Sequence, residues 1–267
     1  MTRETADEPV TREPEQPGPT DVGPMKVAIV VPTYNEAETL PLLIEKVVAQ
    51  DIPGLGFIVV DDGSPDGTGD IADRLADDFP GMFLVVHREG KLGLGTAYMM
   101  GLQMAVDTGA EQIVEMDADL SHDPQFLPTM VVETENFDVV IGSRYADGAG
   151  LKNWPGYRAA LSVGANAYVR AVTGLQAKDC TSGYRCWRPS AVRQIRWERV
   201  GAEGFAFLVE TLCEAAQAGC RIGETPVLFV GRRHGSSKLT ARILREAFVV
   251  PWRILMRFRR HPPKIGH

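Results

Sequence analysis

Short apolar runs alternate with helical patterns along the first half of the chain, and this alternation limits the fold more than any other feature. The runs are rich in valine and isoleucine, which is typical of strands buried on both faces of a parallel sheet. Between the first two runs, apolar residues such as Leu40, Leu43 and Ile44 recur at helical spacing. The pattern predicts a doubly wound, mostly parallel α/β sheet with flanking helices. The predicted strands span residues 25–31, 57–60, 83–86, 112–116 and 138–141.

Beyond Ile141 the alternation weakens. Residues 181–188 are predicted to form a turn and a short strand, and residues 221–229 a further strand. From Lys238 onward the sequence is basic and amphipathic, and Pro251 is expected to break it. The predicted helices after the first span residues 69–79, 96–106, 124–133, 158–173 and 205–218.

Composition divides the 267 residues into three predicted parts. Residues 1–24 contain five prolines and six acidic residues, and they are expected to be a disordered tail. Residues 25–237 form the α/β domain, and residues 238–267 form basic amphipathic helices. From residue 232 to the end there are ten Lys and Arg but only one acid, Glu246, which gives +9; because the whole chain carries −7, the rest carries −16. A basic end on an acidic body indicates an anionic partner.

No run of eighteen apolar residues occurs, and the N-terminus lacks the basic and apolar regions of a signal peptide. We therefore expect no spanning helix and a cytoplasmic chain. The four cysteines lack metal-ligand spacing and are expected to be free thiols. They are Cys180, Cys186, Cys213 and Cys220.

Polar motifs follow three of the predicted strands, at residues 32–36, 61–68 and 117–123. In doubly wound sheets, ligands bind beyond the carboxyl ends of the strands. Two carboxylates at the end of a buried strand are costly unless a cation compensates their charge. Residues i and i+2 of a strand point to the same side, and carboxylates suit Mg²⁺ or Mn²⁺. We therefore predict that Asp117 and Asp119 hold a metal–diphosphate group.

A Rossmann dinucleotide site is not indicated, because the first strand–helix turn contains no glycine. A later Gly-Leu-Gly has Tyr98 in the place of the third glycine, and no Walker A lysine motif occurs. A nucleotide must then be held in another way. An aromatic platform at Tyr34 and carboxylates are the candidates, the latter being Glu36, Asp61 and Asp62.

Two cationic segments are candidates for phosphate binding. Arg144 follows the fifth strand, and its planar guanidinium suits a phosphate, although a surface arginine is the alternative. Residues 232–238 combine cations with glycine, which suits a loop that closes over phosphate. A solvated basic loop is the alternative for that segment.

Taken together, the motifs resemble those of the dolichol-phosphate (polyprenol-phosphate) mannosyltransferases, a branch of the inverting glycosyltransferase family 2. The resemblance extends over about residues 25–238 and implies the GT-A fold. Any one motif is shared with other members of the family, whereas the ordered set is typical of this branch. The motifs are residues 32–36, 61–68, 91–98, 117–122, 142–145 and 179–185.

The resemblance implies specific roles. Asp117 and Asp119 correspond to the metal ligands, while Ser121 stands where some members have a metal-contacting glutamine. Asp119, Arg144 and Arg232 are implied to act in catalysis. The implied donor contacts are Pro32, Tyr34, Glu36, Asp62, Lys91, Asp117, Ala118, Asp119, Arg144, Arg232 and Lys238. The implied acceptor contacts are Arg144, Arg158 and Ser162, within a pattern that also includes Trp154 and Asn166.

The implied reaction moves mannose from GDP-mannose to a polyprenyl monophosphate, with inversion. A phosphate acceptor is already a nucleophile, so no catalytic base is required, and His122 is expected to be structural. Two alternatives stay open: a UDP-sugar such as UDP-glucose as donor, and a non-catalytic nucleotide-binding subunit docked to a membrane protein.

The lipid acceptor requires a membrane. Basic amphipathic helices bind anionic interfaces, so residues 238–267 are predicted to dock there, with a separate anchoring protein as a further expected partner. The alternative is a C-terminal helix packed on the sheet with a basic outer face. Nucleic acid is not among the expected partners.

Overall fold

The structure, a computed structural model, describes residues 24–201, 204–231 and 241–260. Within these ranges the strands are β1 (Val27–Thr33), β2 (Leu55–Asp61), β3 (Phe83–His87), β4 (Gln112–Glu115), β5 (Val139–Ser143), β6 (Gly150–Lys152), β7 (Arg185–Trp187), β8 (Ile222–Pro226) and β9 (Leu228–Val230). The α-helices are α1 (Leu40–Val48), α2 (Thr68–Asp78), α3 (Leu94–Asp107), α4 (Leu127–Glu133), α5 (Gly156–Thr173), α6 (Pro189–Gln194), α7 (Phe205–Gln217) and α8 (Ala241–Arg260). Single turns of 3₁₀ helix lie at Pro124–Phe126 and Trp197–Arg199.

Seven strands form the main sheet, in the order β3-β2-β1-β4-β7-β5-β8. Neighbouring strands run parallel except at β7, which is antiparallel to both β4 and β5. β6 and β9 form a separate parallel pair. The predicted doubly wound, mostly parallel α/β fold is confirmed.

The core lies on both faces of the main sheet, and β1 is buried along its whole length. Alternate residues of a strand point to opposite faces. Ala28 and Val30 therefore pack on the face covered by α3, whereas Ile29 and Val31 pack on the face covered by α1. Because both faces are covered, the strand requires a continuous apolar run rather than an alternating pattern.

Two predicted elements differ in the structure. The strand predicted over residues 221–229 is in fact β8 followed by β9, which pair in different sheets. Pro226 ends β8, and proline has no amide hydrogen to donate to a ladder. The helix predicted over residues 124–133 begins as a 3₁₀ turn before α4.

Helix α8 runs through Pro251, so the prediction that this proline breaks the region is wrong. Val250 and Ile254 are buried in the core, and Arg257 Nη1 lies 3.8 Å from Glu214 of α7. These contacts hold the helix on the domain despite the hydrogen bond lost at the proline. The predicted boundaries near residues 24 and 237 adjoin segments outside the described ranges and stay predictions.

None of the helices in the described ranges is both long enough and apolar enough to cross a bilayer.

Helix α3 approaches β1 closely at Gly101. A Cβ atom placed on Gly101 would lie 2.3 Å from Val30 Cγ1. Carbon atoms that are not bonded to each other do not approach so closely. Glycine at this position therefore lets the helix lie directly against the sheet.

We expect Gly101→Ala to lower the free energy of unfolding by about 1–3 kcal/mol, because overpacking forces neighbouring groups to shift. Gly164→Ala is the matched control, since Gly164 is also helical and a Cβ there meets nothing within 4 Å. Alanine exceeds glycine in helix propensity, so the control should gain up to about 1 kcal/mol. Urea unfolding measures both variants, and equal changes would contradict the close contact between α3 and β1.

Candidate active site

The polar motifs meet at one edge of the main sheet. β1, β2 and β4 run parallel, and β5 has the same direction because β7 is antiparallel to both of its neighbours. Their carboxyl ends, at Thr33, Asp61, Glu115 and Ser143, therefore lie along the same edge. This is where ligands bind in sheets of this kind.

The Asp61 carboxylate is hydrogen-bonded to other groups of the protein. Its carboxylate accepts hydrogen bonds from Thr33 Oγ1 at 2.9 Å, Ser64 N at 3.0 Å and Ser64 Oγ at 2.6 Å. The residue is 2% exposed. Asp61 therefore fixes the turn after β2.

Asp62 is held by Arg88, a residue that the sequence reasoning missed. Arg88 Nη1 lies 2.8 Å from Asp62 Oδ1, and both side chains are buried. Arg88 Nη2 also donates to Thr96 Oγ1 at 2.6 Å, and Asp62 Oδ2 accepts from Gly93 N at 3.1 Å. Its position directly after β3, at the edge of the sheet where the other motifs lie, could have indicated Arg88 from the sequence.

Lys91 and Tyr34 come together at this end of the edge. Lys91 Nζ lies 3.9 Å from the centroid of the Tyr34 ring, within cation–π range. Tyr34 is half-buried and Lys91 is exposed. The structure thus brings together two predicted donor residues from separate loops. Lys91 lies between Arg88 and Gly93, both of which contact Asp62.

Asp117 and Asp119 lie in a loop beyond β4, because the strand ends at Glu115. Strand alternation therefore does not apply to these two residues, and their approach to one site stays a prediction. Leu120 closes the loop in the left-handed region, with φ of 61°. Asp119 Oδ1 accepts the amide hydrogen of Ser121 at 3.0 Å.

The donor set of this loop fits a hard divalent cation. Asp117 and Asp119 are partly exposed, whereas Ala118 between them is buried, and carboxylate oxygens suit Mg²⁺ or Mn²⁺. Within the described ranges, no group of three or more His, Cys, Asp or Glu side chains is placed to hold a metal. Phosphate and water would then complete the coordination. Ser121 is buried, and its part as a third ligand stays a prediction.

Asp117 contacts neutral partners. The Tyr98 hydroxyl donates to Asp117 Oδ1 at 2.7 Å, and the Asp117 amide donates to His122 Nδ1 at 3.1 Å. Burial and the charges of Asp117 and Glu115 raise the pKa of Tyr98 well above its usual value, so the hydroxyl keeps its proton. The ring of His122 stacks on Tyr184 at 5.0 Å, as a structural histidine would.

Two buried ionisable residues lie behind the loop. Glu115 of β4 and Arg185 of β7 are cross-strand partners, and both are fully buried. Burial raises the pKa of Glu115 to about 7, while the charge of Arg185 opposes the shift. Arg185 also donates to Thr211 Oγ1 at 3.1 Å and to the Cys180 carbonyl at 3.0 Å. These bonds fix the position of the guanidinium in the core.

Arg144 is paired with Asp179, a partner that local patterns did not indicate. Arg144 Nε and Nη2 donate to the two carboxylate oxygens, each at 2.7 Å, and the Arg144 amide donates to Oδ2 at 3.0 Å. Burial opposes both charges, but the mutual hydrogen bonds prevail: they raise the pKa of Arg144 and lower the pKa of Asp179. The charge of Arg144 is therefore largely balanced within the protein.

Three aromatic rings surround the Arg144 guanidinium. Its Cζ lies 5.5 Å from the ring of Tyr145, 5.6 Å from Trp154 and 5.4 Å from Phe229. Trp154 follows β6 and Phe229 belongs to β9, so the small sheet covers the arginine. Arg144 Nη1 makes no hydrogen bond to a residue in the described ranges, which leaves it for a phosphate; that role stays a prediction.

Helix α5 connects to Arg144 through side-chain hydrogen bonds. Asn166 Nδ2 donates to the Ser162 carbonyl and to Thr181 Oγ1, each at 3.0 Å. Arg144 Nη2 donates to the same Thr181 hydroxyl at 2.8 Å. The predicted acceptor residue Ser162 thus belongs to the network of Arg144.

One predicted acceptor residue, Arg158, is not brought into this network. Arg158 lies at the start of α5 and donates to the hydroxyl of the neighbouring tyrosine at 3.2 Å. Arg232 and Lys238 fall outside the described residues. The chain leads toward them from beside the metal motif, where Val230 N donates to the Ser121 carbonyl at 3.4 Å.

Comparison with known proteins defines the class. The model of glycosyl transferase family 2 matches residues 28–196. The undecaprenyl-phosphate mannosyltransferase of Micrococcus luteus is 41% identical over 225 residues, covering 84% of this chain and 92% of that protein. The polyprenol monophosphomannose synthase of Mycolicibacterium smegmatis is 39% identical over 232 residues, covering 86% and 87%. The chain therefore belongs to glycosyltransferase family 2.

Solved structures show the same fold. Glucosyl-3-phosphoglycerate synthase from Mycobacterium tuberculosis, in complex with Mg²⁺ and uridine diphosphate, superposes with a TM-score of 0.61 at 21% identity, covering 87% of this chain and 80% of that one. The complex of that protein with Mn²⁺, UDP-glucose and phosphoglyceric acid gives 0.57 at 20% identity, covering 85% and 77%. The expectation of a GT-A fold is confirmed.

We expect Arg88→Met to lower the free energy of unfolding by about 3–5 kcal/mol, because it leaves the buried Asp62 carboxylate without its partner. Arg221→Met is the control, since the Arg221–Asp138 pair is exposed at the arginine and 3.5 Å long. Such a pair contributes about 0–1 kcal/mol. Urea unfolding compares the two variants, and an Arg88 variant as stable as the control would refute the clamp on Asp62.

Proposed function

We propose that this chain transfers mannose from GDP-mannose to a polyprenyl monophosphate, with inversion at the anomeric carbon. The observation that carries the proposal is similarity over most of the length of two proteins named as polyprenol- or undecaprenyl-phosphate mannosyl enzymes. The order of the strands in the sheet is consistent with two substrates that bind on either side of a metal. The loop of Asp117 and Asp119 lies between a donor side at Asp62 and an acceptor side at Arg144.

The acceptor phosphate requires no general base. The second pKa of a phosphate monoester is about 6, so the group is largely dianionic at neutral pH. A phosphate oxygen attacks the anomeric carbon, and the bond to the diphosphate breaks with its electron pair leaving on GDP. No proton has to move in this step. The arrangement of His122, which accepts from the Asp117 amide and stacks on Tyr184, supports a structural role.

Asp117 and Asp119 are the residues that would hold Mg²⁺ or Mn²⁺. Bound there, the ion would offset the charge of the diphosphate and stabilise the departing nucleotide. The complexes of the M. tuberculosis protein with Mn²⁺ or Mg²⁺ and uridine nucleotides support divalent metal use on this fold.

Two anionic phosphates must approach each other, and fixed cations reduce their repulsion. Arg144 offers Nη1 while Asp179 fixes its plane, and the aromatic rings around it limit access of water. Arg232 and Lys238 are proposed to supply further positive charge. On the donor side, the nucleotide is proposed to lie against Tyr34 and Lys91, with Pro32, Glu36 and Asp62 as its other contacts.

We further propose that α8 attaches the protein peripherally to the cytoplasmic face of an anionic membrane. Its exposed residues include Phe248, Val249, Trp252 and Met256, with exposures of 63%, 47%, 53% and 56%. Tyr168 of α5 contacts α8, and its hydroxyl donates to the Phe248 carbonyl at 2.7 Å. Helix α5 contains no acidic residue. The apolar surface and the +9 charge of residues 232–267 match an anionic lipid interface.

A donor panel tests the reaction. Purified protein with undecaprenyl phosphate and Mn²⁺ is expected to consume GDP-mannose in preference to UDP-glucose and other UDP-sugars, and to release a lipid-linked mannose. The product is measured by radiolabel extraction into organic solvent. Preference for a UDP-sugar would replace the proposed donor, and no consumption of any donor would favour the non-catalytic subunit.

The metal role is tested in the same assay. Chelation by EDTA should abolish transfer, and Asp119→Ala should lower kcat/KM by at least about a hundredfold, the range seen when one stabilising contact of a transition state is removed. Asp123→Ala is the control, because its carboxylate bonds Gln125 rather than a ligand. Full activity in EDTA would exclude the metal.

Membrane attachment is tested by cosedimentation with vesicles of mixed phosphatidylcholine and phosphatidylglycerol. We expect Trp252→Glu to weaken binding roughly tenfold or more, since burial of a large side chain contributes about 1.5–3 kcal/mol. Val132→Glu on α4 is the control, with the same charge change at a 60% exposed residue. Equal binding of both variants would exclude α8 as the contact. Because the chain is used alone, binding also shows that no separate anchoring protein is required.

A further inference from the structure

Tyr98 is buried beneath the metal-motif loop although it belongs to α3, far from the motif in sequence. The residue is 0% exposed, and its ring stacks on Phe207 at 6.4 Å with an interplanar angle of 8°. Its hydroxyl donates to Asp117 Oδ1 at 2.7 Å. The ring is therefore fixed by packing, and the hydroxyl points at one oxygen of one carboxylate.

Asp117 is held from a second side by His122. The Asp117 amide donates to His122 Nδ1 at 3.1 Å, and His122 Nε2 lies 3.9 Å from Asp117 Oδ2. The stacking of His122 on Tyr184 fixes the plane of the imidazole. Backbone and carboxylate of Asp117 are thus restrained separately, one by His122 and the other by Tyr98.

The Asp119 carboxylate accepts the Ser121 amide hydrogen at 3.0 Å, within the same loop. The hydrogen bond from Tyr98 to Asp117 comes instead from a helix of the core, so it joins the loop to that helix.

The same helix also reaches the donor side. α3 begins at Leu94, directly after Gly93, whose amide donates to Asp62 Oδ2 at 3.1 Å. Tyr98 follows one turn later. One rigid helix therefore contacts both Asp62 and Asp117, two residues that the proposed function assigns to the nucleotide and to the metal.

We propose that Tyr98 is a positioning residue, whose hydroxyl orients the Asp117 carboxylate toward a divalent cation. This inference rests on the proposed metal use. Neutral partners in the second coordination sphere orient a ligand without cancelling its charge, and their loss typically lowers metal affinity 10–100-fold. Tyr98 is suited to this because packing against Phe207 fixes its ring and its hydroxyl donates directly to Asp117 Oδ1.

The test is Tyr98→Phe, which removes the hydroxyl and keeps the ring that packs on Phe207. Titration of the purified protein with Mn²⁺ in the presence of GDP, followed by electron paramagnetic resonance of free Mn²⁺, should show about 10–100-fold weaker binding. The Mn²⁺ concentration for half-maximal transfer should rise by the same factor, while kcat at saturating Mn²⁺ recovers. If Tyr98 only stabilised the fold, its loss would not raise the Mn²⁺ requirement while leaving kcat at saturating Mn²⁺ unchanged.

Tyr168→Phe is the matched control, because it removes a tyrosine hydroxyl that bonds the Phe248 carbonyl away from the site. Its Mn²⁺ affinity should stay within twofold of the parent. A second comparison uses Asp117→Asn, in which Tyr98→Phe should change Mn²⁺ affinity less than twofold, since the two residues act as one unit.

Several results would overturn the inference. They are unchanged Mn²⁺ affinity of Tyr98→Phe, equal loss in Tyr168→Phe, an undiminished effect of Tyr98→Phe in the Asp117→Asn background, and a parent protein that binds no Mn²⁺ with GDP. One further result would contradict the proposed function but not the role of Tyr98. If the parent binds Mn²⁺ and GDP, and Tyr98→Phe weakens that binding, but no mannose is transferred, then the positioning role stands and the assigned reaction does not.

Discussion

Compensation of buried carboxylates is the constraint on which this structure depends. Asp62 is paired with Arg88, and Asp179 accepts two hydrogen bonds from the Arg144 guanidinium. Each pair joins segments that are distant in sequence. Removal of one partner from such a pair costs several kcal/mol, so the two pairs fix the strand ends against one another before any ligand arrives.

Asp117 stands apart from these pairs. Its partners are a tyrosine hydroxyl and an imidazole rather than an arginine. A neutral donor directs a carboxylate but leaves its negative charge in place, which is the condition that a cation site requires. At this edge of the sheet, Asp62 and Asp179 are paired with arginines and stabilise the fold, whereas Asp117 keeps a negative charge that can bind a cation.

The sequence predicted the strands well because β1, β2 and β4 are covered on both faces, and that burial requires uninterrupted apolar runs. The motifs at their carboxyl ends were visible for the same reason. The pairings that Arg88, Tyr98 and Asp179 make were not visible, since each joins residues 19 to 35 positions apart and leaves no local pattern. Pro251 was misjudged because the packing of α8 on the core outweighs a local helix-breaking preference.

The reversed direction of β7 has a consequence for how such enzymes can diversify. β5 leaves the sheet at Ser143, and β7 re-enters it at Arg185 beside β5, so residues 144–184 depart from and return to the same edge. In topology this stretch is a very long hairpin connection. Its contents can be lengthened or exchanged without a change in the register of the parallel strands of the main sheet, although β6 pairs with β9 outside that sheet. The surface that we propose meets the second substrate therefore lies on a connection that can change while the strands of the main sheet keep their arrangement.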